Sequence, residues 1–178
     1  MVTIDQNNYY KILAETISLF KEHKSLMIDN KSFAKTIDKS IGITEDMRSE
    51  GMGPKYVKFG DVSNSPVRYR IDHIAAFKLK MHYSPSENES KELLKKVLAS
   101  GNNIKQYSLK ETAALFSFST QKLKKDIEKL NKEENRKVNL FAPRYVRLGV
   151  KPKSIYQFNR DEIIEHICGL KYIKTVSW

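Results

Sequence analysis

Lysine side chains follow a helical spacing in one short segment of this 178-residue chain. Lys122, Lys125 and Lys129 stand at positions i, i+3 and i+7, so a helix would place them on one face. Ammonium groups in such a row bind closely spaced anions such as phosphates, and an amide side chain beside them can bond the edge of a base. The candidate contact residues of this segment are Ser119, Thr120, Gln121, Lys122, Lys124, Lys125 and Lys129. The segment therefore has the chemistry of a polyanion-binding surface.

Two β-rich segments carry a second set of cations. The downstream segment supplies Arg144, Arg147, Lys151 and Lys153, and the upstream segment supplies Lys55, Lys58, Arg68 and Arg70. Because the side chains of a strand alternate between its two faces, we expect Arg68 and Arg70 on the same face. Long basic side chains of this kind suit contacts to a phosphate backbone.

The positive charge is concentrated in the second half of the chain. Lys and Arg total 32 against 21 Asp and Glu, which gives a formal net charge of +11. Residues 1–89 contain 13 basic and 12 acidic side chains, whereas residues 90–178 contain 19 and 9. A basic excess attracts polyanions in general. On charge alone, nucleic acid, anionic lipid and an acidic protein are all candidate partners.

Other reactive side chains do not form a recognisable active site. The four histidines show no HxxxH, HxH or Cys–His spacing, and Cys168 is the only cysteine, which disfavours a metal site and excludes an internal disulfide. The carboxylate pair Asp161–Glu162 opens a helical segment, where capping explains it. We therefore expect no enzymatic activity, no cofactor and no metal. No apolar run long enough for a membrane span and no secretory signal pattern occurs, so we also expect no membrane partner and a cytoplasmic location.

A repeat within the sequence identifies the elements that position these cations. Residues 54–60 and 143–149 both read Pro-basic-Tyr-Val-basic-apolar-Gly, and the offset of 89 positions holds without a gap for 24 residues. Each copy contains two short strands around turn-forming residues and ends in a helix that begins near an Asp. Self-similarity at a constant offset predicts two copies of one supersecondary unit.

A pair of short helices precedes each predicted hairpin. In the second copy Ser108 begins a capping box, and Ser119 caps the helix that carries the lysines. In the first copy we expect a helix over residues 32–39, a turn at Gly42 and a second helix capped by Thr44. With these boundaries the second copy is about 14 residues longer between its second helix and its hairpin.

The predicted fold is α+β and mainly helical, with two tandem units of helix-turn-helix, β-hairpin wing and closing helix. We place an extra N-terminal helix and the first unit in residues 1–82, an exposed linker in 83–89, and the second, strongly basic unit in 90–178. The N-terminal helix carries an apolar stripe that we expect to dock on its own core. The alternative is a homodimer through this helix.

Both copies resemble the winged helix-turn-helix of bacterial and phage excisionases and AlpA-type prophage regulators, a branch related to MerR DNA-binding domains. The resemblance lies in GMGPKYVKFG (residues 51–60) and RYRIDHIAAF (residues 68–77), and the second copy keeps residues 143–149 and 161–163. Gln157 and Asn159 replace Arg68 and Arg70 there.

The resemblance implies sequence-specific binding of double-stranded DNA in a protein of a bacterium, phage or mobile element. The second helix of each unit would enter the major groove, and the wing would reach the adjacent backbone or minor groove. Such a protein would act as a transcriptional regulator or an excisionase-like recombination directionality factor on a bipartite site, with about 10 bp between half-sites. It would be nucleoid-associated, or lie in the host cytoplasm if phage-encoded.

The first copy departs from this scheme. Its second helix carries Glu45, Asp46 and Glu50 against Arg48, and phosphates repel a surface of that charge. We expect the second copy to anchor DNA, while the first contacts DNA through its wing or binds a protein partner. The alternatives are a protein-interaction adaptor built from winged folds and a replication-initiator-type DNA-binding protein.

Overall fold

The computed structural model describes residues 6–60, 62–80, 85–131, 142–148 and 155–173, in two successive groups of seven elements. The first unit comprises α1 (Gln6–His23), β1 (Met27–Ile28), α2 (Asn30–Thr36), α3 (Ile41–Ser49), β2 (Tyr56–Lys58), β3 (Val67–Arg70) and α4 (Ile71–Lys78). The second unit comprises α5 (Glu87–Gly101), β4 (Gln106–Ser108), α6 (Leu109–Leu115), α7 (Thr120–Asn131), β5 (Val146–Leu148), β6 (Ile155–Asn159) and α8 (Arg160–Cys168). The α+β, mainly helical class is confirmed, and none of the described helices has the length and apolar character of a membrane span.

Each unit forms a three-stranded antiparallel sheet with the same strand order. The order is β1-β3-β2 in the first unit and β4-β6-β5 in the second. Val57 pairs with Arg68, and Val146 pairs with Gln157, so both partners of the second pair lie 89 positions after those of the first. Both predicted strand pairs are therefore present in one register. The edge strands β1 and β4 were not predicted, because two or three residues show no periodicity.

The two helix pairs are also equivalent, at an offset of 79 positions. The turn residue in the left-handed region is Asp38 in the first unit (φ 54°) and Ser117 in the second (φ 52°). The serine that follows two residues later caps the next helix: Ser40 accepts a bond from an amide of α3, and Ser119 does so for α7. The predicted cap at Ser119 is thereby confirmed.

Two expectations about the first helix pair were wrong. Gly42 lies inside α3, because Asp38 supplies the turn conformation that a glycine was expected to supply. Thr44 is a buried residue of that helix whose Oγ1 donates to the carbonyl of Ile41 at 2.8 Å. With the cap at Ser40, the second unit is 10 residues longer than the first between helix pair and hairpin, rather than about 14.

Helix α1 packs its apolar stripe inside the protein. It lies against α4 and α5, and Ile12, Thr16 and Leu19 are buried. The expected docking on the chain's own core is confirmed. The stripe therefore offers little surface for a homodimer, the alternative interpretation. Among the large apolar side chains of α1 only Tyr10 is exposed, at 63%.

The buried apolar side chains of both units form one continuous core. Residues 87–89, which were expected in an exposed linker, belong to α5, whose first turn is fixed by a capping box between Ser86 and Glu89. Ser90 is fully buried and bonds the carboxylate of Asp72 at 2.9 Å. The units are therefore packed against each other where the sequence suggested a spacer.

Candidate nucleic-acid interface

Helix α7 presents its lysines from a fixed base. The Oγ of Ser119 accepts a hydrogen bond from the Lys122 amide at 3.2 Å, which satisfies one of the amides left free at a helix start. Leu123 and Ile127 are 0% and 1% exposed and anchor the inner face. Thr120 is half-buried at the first position. The exposed side chains among the candidates are those of Ser119, Gln121, Lys124, Lys125 and Lys129.

Lys122 does not belong to the exposed row. Its Nζ lies 2.6 and 2.7 Å from the two carboxylate oxygens of Asp126 and 5.7 Å from the centroid of the Phe118 ring. The Asp126 side chain is 1% exposed and that of Lys122 is 27% exposed. The pairing with a buried carboxylate makes Lys122 less available to a phosphate than the exposed Lys124 and Lys125. The i, i+4 spacing of the two residues was the available sequence signal.

The second hairpin adds further cations to this unit. Arg144 precedes β5 and Arg147 lies within it, and both side chains are exposed. Lys151 and Lys153 lie outside the described residues. The exposed members of the predicted basic set in the second unit therefore lie on the outer side of α7 and at β5.

Arg68 joins the two units instead of facing solvent. Its Nε donates to the carbonyl of Phe116 at 3.0 Å, its Nη2 donates to the carbonyl of Ser117 at 2.6 Å, and the guanidinium lies 4.1 Å from the centroid of the Phe118 ring. Burial lowers the pKa of this guanidinium, and the charge of Asp29 opposes the shift; an arginine stays protonated in either case. In this structure the guanidinium of Arg68 is engaged with the turn before α7 and not directed to solvent.

Further bonds from the first unit fix the same turn. The hydroxyl of Ser25 and the amide of Leu26 both reach the carbonyl of Leu115, at 2.7 and 2.6 Å. The ring of Phe59 packs edge-on against that of Phe118, with centroids 5.1 Å apart. The sequence does not indicate these contacts, because they join residues far apart in the chain and follow no local pattern.

Arg70 is buried and does not reach the surface. It is 3% exposed, and its Nε and Nη2 donate to the two carboxylate oxygens of Asp72 at 2.6 and 2.9 Å. Nη2 also lies 2.7 Å from both the Oγ of Ser90 and the Nε2 of His73. The expected DNA contact of Arg70 is wrong. Strand β3 ends at Arg70, which is the N-cap of α4. Its guanidinium forms an ion pair with a buried carboxylate.

Burial and charge set the protonation states of this polar cluster. Burial is the largest single influence on Asp72 and opposes its ionisation, but the charge of Arg70 and the hydrogen bonds from Arg70 and Ser90, together with its other neighbours, hold the pKa of Asp72 at about 2. Burial, together with the charge of Arg70, lowers the pKa of His73 to about 3, so this histidine is neutral. The ring of Tyr172 covers the Arg70 guanidinium at 5.0 Å. The cluster is thus a structural joint between the units rather than an anion site.

The first unit offers a different exposed surface. Lys55 and Lys58 are half-buried, and Lys58 lines a groove between α3 and the hairpin. Arg48 of α3 donates to the hydroxyl of Tyr69 at 3.2 Å. The exposed side chains of α3 include Ile41, Ile43, Glu45 and Asp46. Where α7 is basic, α3 is acidic and apolar.

Metal and thiol chemistry find no support in the described ranges. No group of three His, Cys, Asp or Glu side chains there is arranged to hold a metal ion. Cys168 is buried, and burial raises the pKa of its thiol to about 11. The thiol therefore stays protonated near neutral pH, and the thiolate is the nucleophilic form.

Comparison with family models, with curated proteins and with solved structures finds no match. The likeness to excisionase-type regulators therefore rests on the residues quoted above. The function is inferred from the geometry and charge of α7 and of the elements that hold it.

Proposed function

We propose that the second unit binds double-stranded DNA, with α7 in the major groove and the β5–β6 hairpin at the adjacent backbone. The observation that carries the proposal is the exposed row Lys124, Lys125 and Lys129, with Gln121 in the first turn of the same helix. The major groove admits an α-helix, lysines neutralise phosphates, and an amide side chain can bond an adenine edge with both of its groups.

The contacts that hold α7 in place support a role in recognising a DNA sequence. Base contacts specify a sequence only when the helix that carries them is held in register by its surroundings. The turn before α7 is bonded by Arg68 and Ser25 of the first unit, and its inner face is anchored by Leu123. The first unit would thus act as the platform on which the DNA-reading helix is fixed.

The acidic α3 argues for one half-site per chain. Glu45 and Asp46 would be repelled by the phosphates that line a major groove. A bipartite site would then need two chains instead of two units of one chain. Transcriptional regulation and excisionase-like control of recombination both remain within the proposal, since each begins with binding of this kind.

The test is a binding titration over a range of salt concentrations with the double variant Lys124→Glu, Lys125→Glu. Each phosphate contact contributes about 0.9 to the slope of log affinity against log salt, so the double variant should flatten the slope by about 2. Affinity at about 0.1 M salt should fall at least about 10-fold. The matched control is Lys11→Glu, Lys21→Glu on α1, which makes the same change of net charge at exposed positions.

The control separates a local site from a general charge effect. Equal losses in the two double variants would contradict the proposal, because net charge alone would then govern binding. Failure of the unaltered protein to bind any duplex would favour the second candidate, a protein-interaction adaptor. That candidate draws on one observation, the exposure of Ile41 and Ile43 beside the carboxylates of α3.

A further inference from the structure

The outer faces of the two hairpins have the same register but opposite exposure. We define the first outer face as Val57, Phe59 and Arg68, and the second outer face as the equivalent Val146, Leu148 and Gln157, together with Ile155. Val57 and Phe59 are 0% and 4% exposed, whereas Val146, Leu148 and Ile155 are 61%, 47% and 61% exposed. The same sheet surface is therefore covered in one unit and open in the other.

The cover on the first outer face comes from the second unit. We define the helix-turn surface of a unit as the turn between its paired helices and the first residues of the second helix, which are 116–122 in the second unit. Phe118 of this surface packs against Phe59 and beneath the guanidinium of Arg68. Inside one chain, the helix-turn surface of the second unit thus covers the hairpin face of the first.

The first unit carries an equivalent helix-turn surface, residues 37–43, that remains open. Ile41 and Ile43 are 44% and 46% exposed there. Half of the ten large apolar side chains that are exposed in the described residues lie on this surface or on the second outer face. Exposed apolar side chains gathered in patches mark interaction sites more often than scattered ones do.

We propose that a second copy of this chain docks its open helix-turn surface onto the second outer face. The contact would repeat between two chains the packing that joins the two units within one chain. The occupant follows from continuity with that internal interface, because the open surfaces are the equivalents of its two covered sides. Each chain offers one surface of each kind, so the association is head-to-tail and builds an open chain or a ring.

Charge favours the same pairing. The exposed carboxylates Glu45 and Asp46 follow the open helix-turn surface on α3, and the exposed Arg144 precedes the strand of the second outer face. Opposite signs on the two surfaces offset the repulsion expected between two chains of formal charge +11. The pairing also gives the acidic residues of α3 a role that a DNA-reading helix would not.

The contact between chains would be weaker than the contact within one. Lys39 stands at the position of Phe118, and Gln157 stands at the position of Arg68, so the cation–aromatic contact has no counterpart. The internal contact also benefits from the covalent connection between its partners. Association should therefore depend on concentration, over a range of roughly 1–100 µM.

The test is sedimentation of the full chain without nucleic acid, which keeps it independent of the proposed DNA binding. Leu148→Glu closes the second outer face, and Ile43→Lys closes the helix-turn surface with the residue type found at the equivalent Lys122. The control Tyr10→Glu alters an apolar residue on α1 that is more exposed than either of these. Thermal unfolding checks that each variant remains folded.

The unaltered protein and Tyr10→Glu should rise above the monomer mass of 20.7 kDa with concentration. Leu148→Glu and Ile43→Lys should each stay monomeric. An equimolar mixture of these two variants should reach twice the monomer mass and stop there, because one open surface survives on each chain.

Three outcomes would overturn the proposal. The first is a monomer mass for the unaltered protein throughout the concentration range. The second is association of Ile43→Lys to the same extent as the unaltered protein, which would indicate a symmetric contact between two outer faces. The third is a monomeric mixture together with loss of association in Tyr10→Glu, which would place the contact on α1.

Discussion

The two units of this chain share seven elements, one strand order and one hairpin register, yet they use their cations in opposite ways. In the first unit Arg68 and Arg70 are turned inward, onto carbonyls of a turn and onto a buried carboxylate. In the second unit the same positions hold Gln157 and Asn159, and exposed lysines lie on α7. Equivalent positions in the two units thus have different partners, because the residues around each cation decide what it binds.

The largest expected difference between the units concerns the aspartate at the start of the closing helix. Asp72→Asn leaves the buried Arg70 without its counter-ion, and breaking a buried pair costs about 3–5 kcal/mol. Asp161→Asn alters the equivalent but exposed residue and should change the free energy of unfolding by less than about 1 kcal/mol. Denaturant unfolding of both variants measures the contrast, and similar losses would contradict the assignment of Arg70 to a buried joint.

The pH dependence of stability should report the buried histidine of the first unit. The pKa of His73 is about 3 in the folded protein, far below its ordinary value, so only the unfolded chain binds this proton between about pH 6.5 and pH 3. The contribution of His73 to the free energy of unfolding is fully present above pH 6.5 and falls by about 1.4 kcal/mol for each pH unit below it.

The histidine's share can be separated from that of the carboxylates. Unfolding of the unaltered protein and of His73→Gln is measured at pH 7 and at pH 4. The difference between their free energies of unfolding should shrink by about 3 kcal/mol as the pH falls. Parallel loss of stability in the two proteins would show that His73 does not titrate on unfolding in this range.

Exchanging the residues at the equivalent strand positions should affect one unit only. Arg68→Gln removes donors from two carbonyls of the turn before α7 and should cost about 1–3 kcal/mol. Gln157→Arg adds a guanidinium beside open surface and should stay within about 0.5 kcal/mol of the unaltered protein. Thermal unfolding compares them, and a neutral Arg68→Gln would argue against its bridging role.

The smallest effect separates two lysines of α7. Lys122→Met removes one hydrogen-bonding partner of the buried Asp126 and should cost about 1 kcal/mol, whereas Lys125→Met should be neutral for stability within about 0.5 kcal/mol. DNA affinity should respond in the opposite order, with a several-fold loss for Lys125→Met. Unfolding and binding titrations on the two variants test this opposite order. An equal loss of DNA affinity in both variants would show that Lys122 also contacts DNA.

Local patterns were sufficient for part of the fold. Leu123 and Ile127, one helical turn apart, are buried as the spacing predicts, and the repeated heptapeptide located both hairpins. The start of α3 was misplaced because Ser40 and Thr44 are both capping residues, and only the backbone of Asp38 decides between them.

The roles of the arginines could not be predicted from such patterns. The partners of Arg68 lie 48 and 49 positions further along the chain, and Arg70 reaches Ser90 across the predicted linker. In the candidate site, Lys124, Lys125 and Lys129 are exposed as the helical spacing of α7 indicated. Lys122 instead donates a hydrogen bond to the carboxylate of Asp126 one turn away. Long-range packing decided each of these cases.

The single bridge between Tyr56 and Ile173 has a consequence for how the protein is made. Ile173 donates to the carbonyl of Tyr56 at 2.8 Å, across 117 positions of the chain. At about 5–20 residues per second, synthesis of that stretch takes on the order of ten seconds. Over this interval β2 has emerged without its outer neighbour, and Arg70 gains Ser90 after 20 further residues but Tyr172 only after 102. The first unit is therefore translated first but completed last, and over this interval its hairpin edge is open to mispairing.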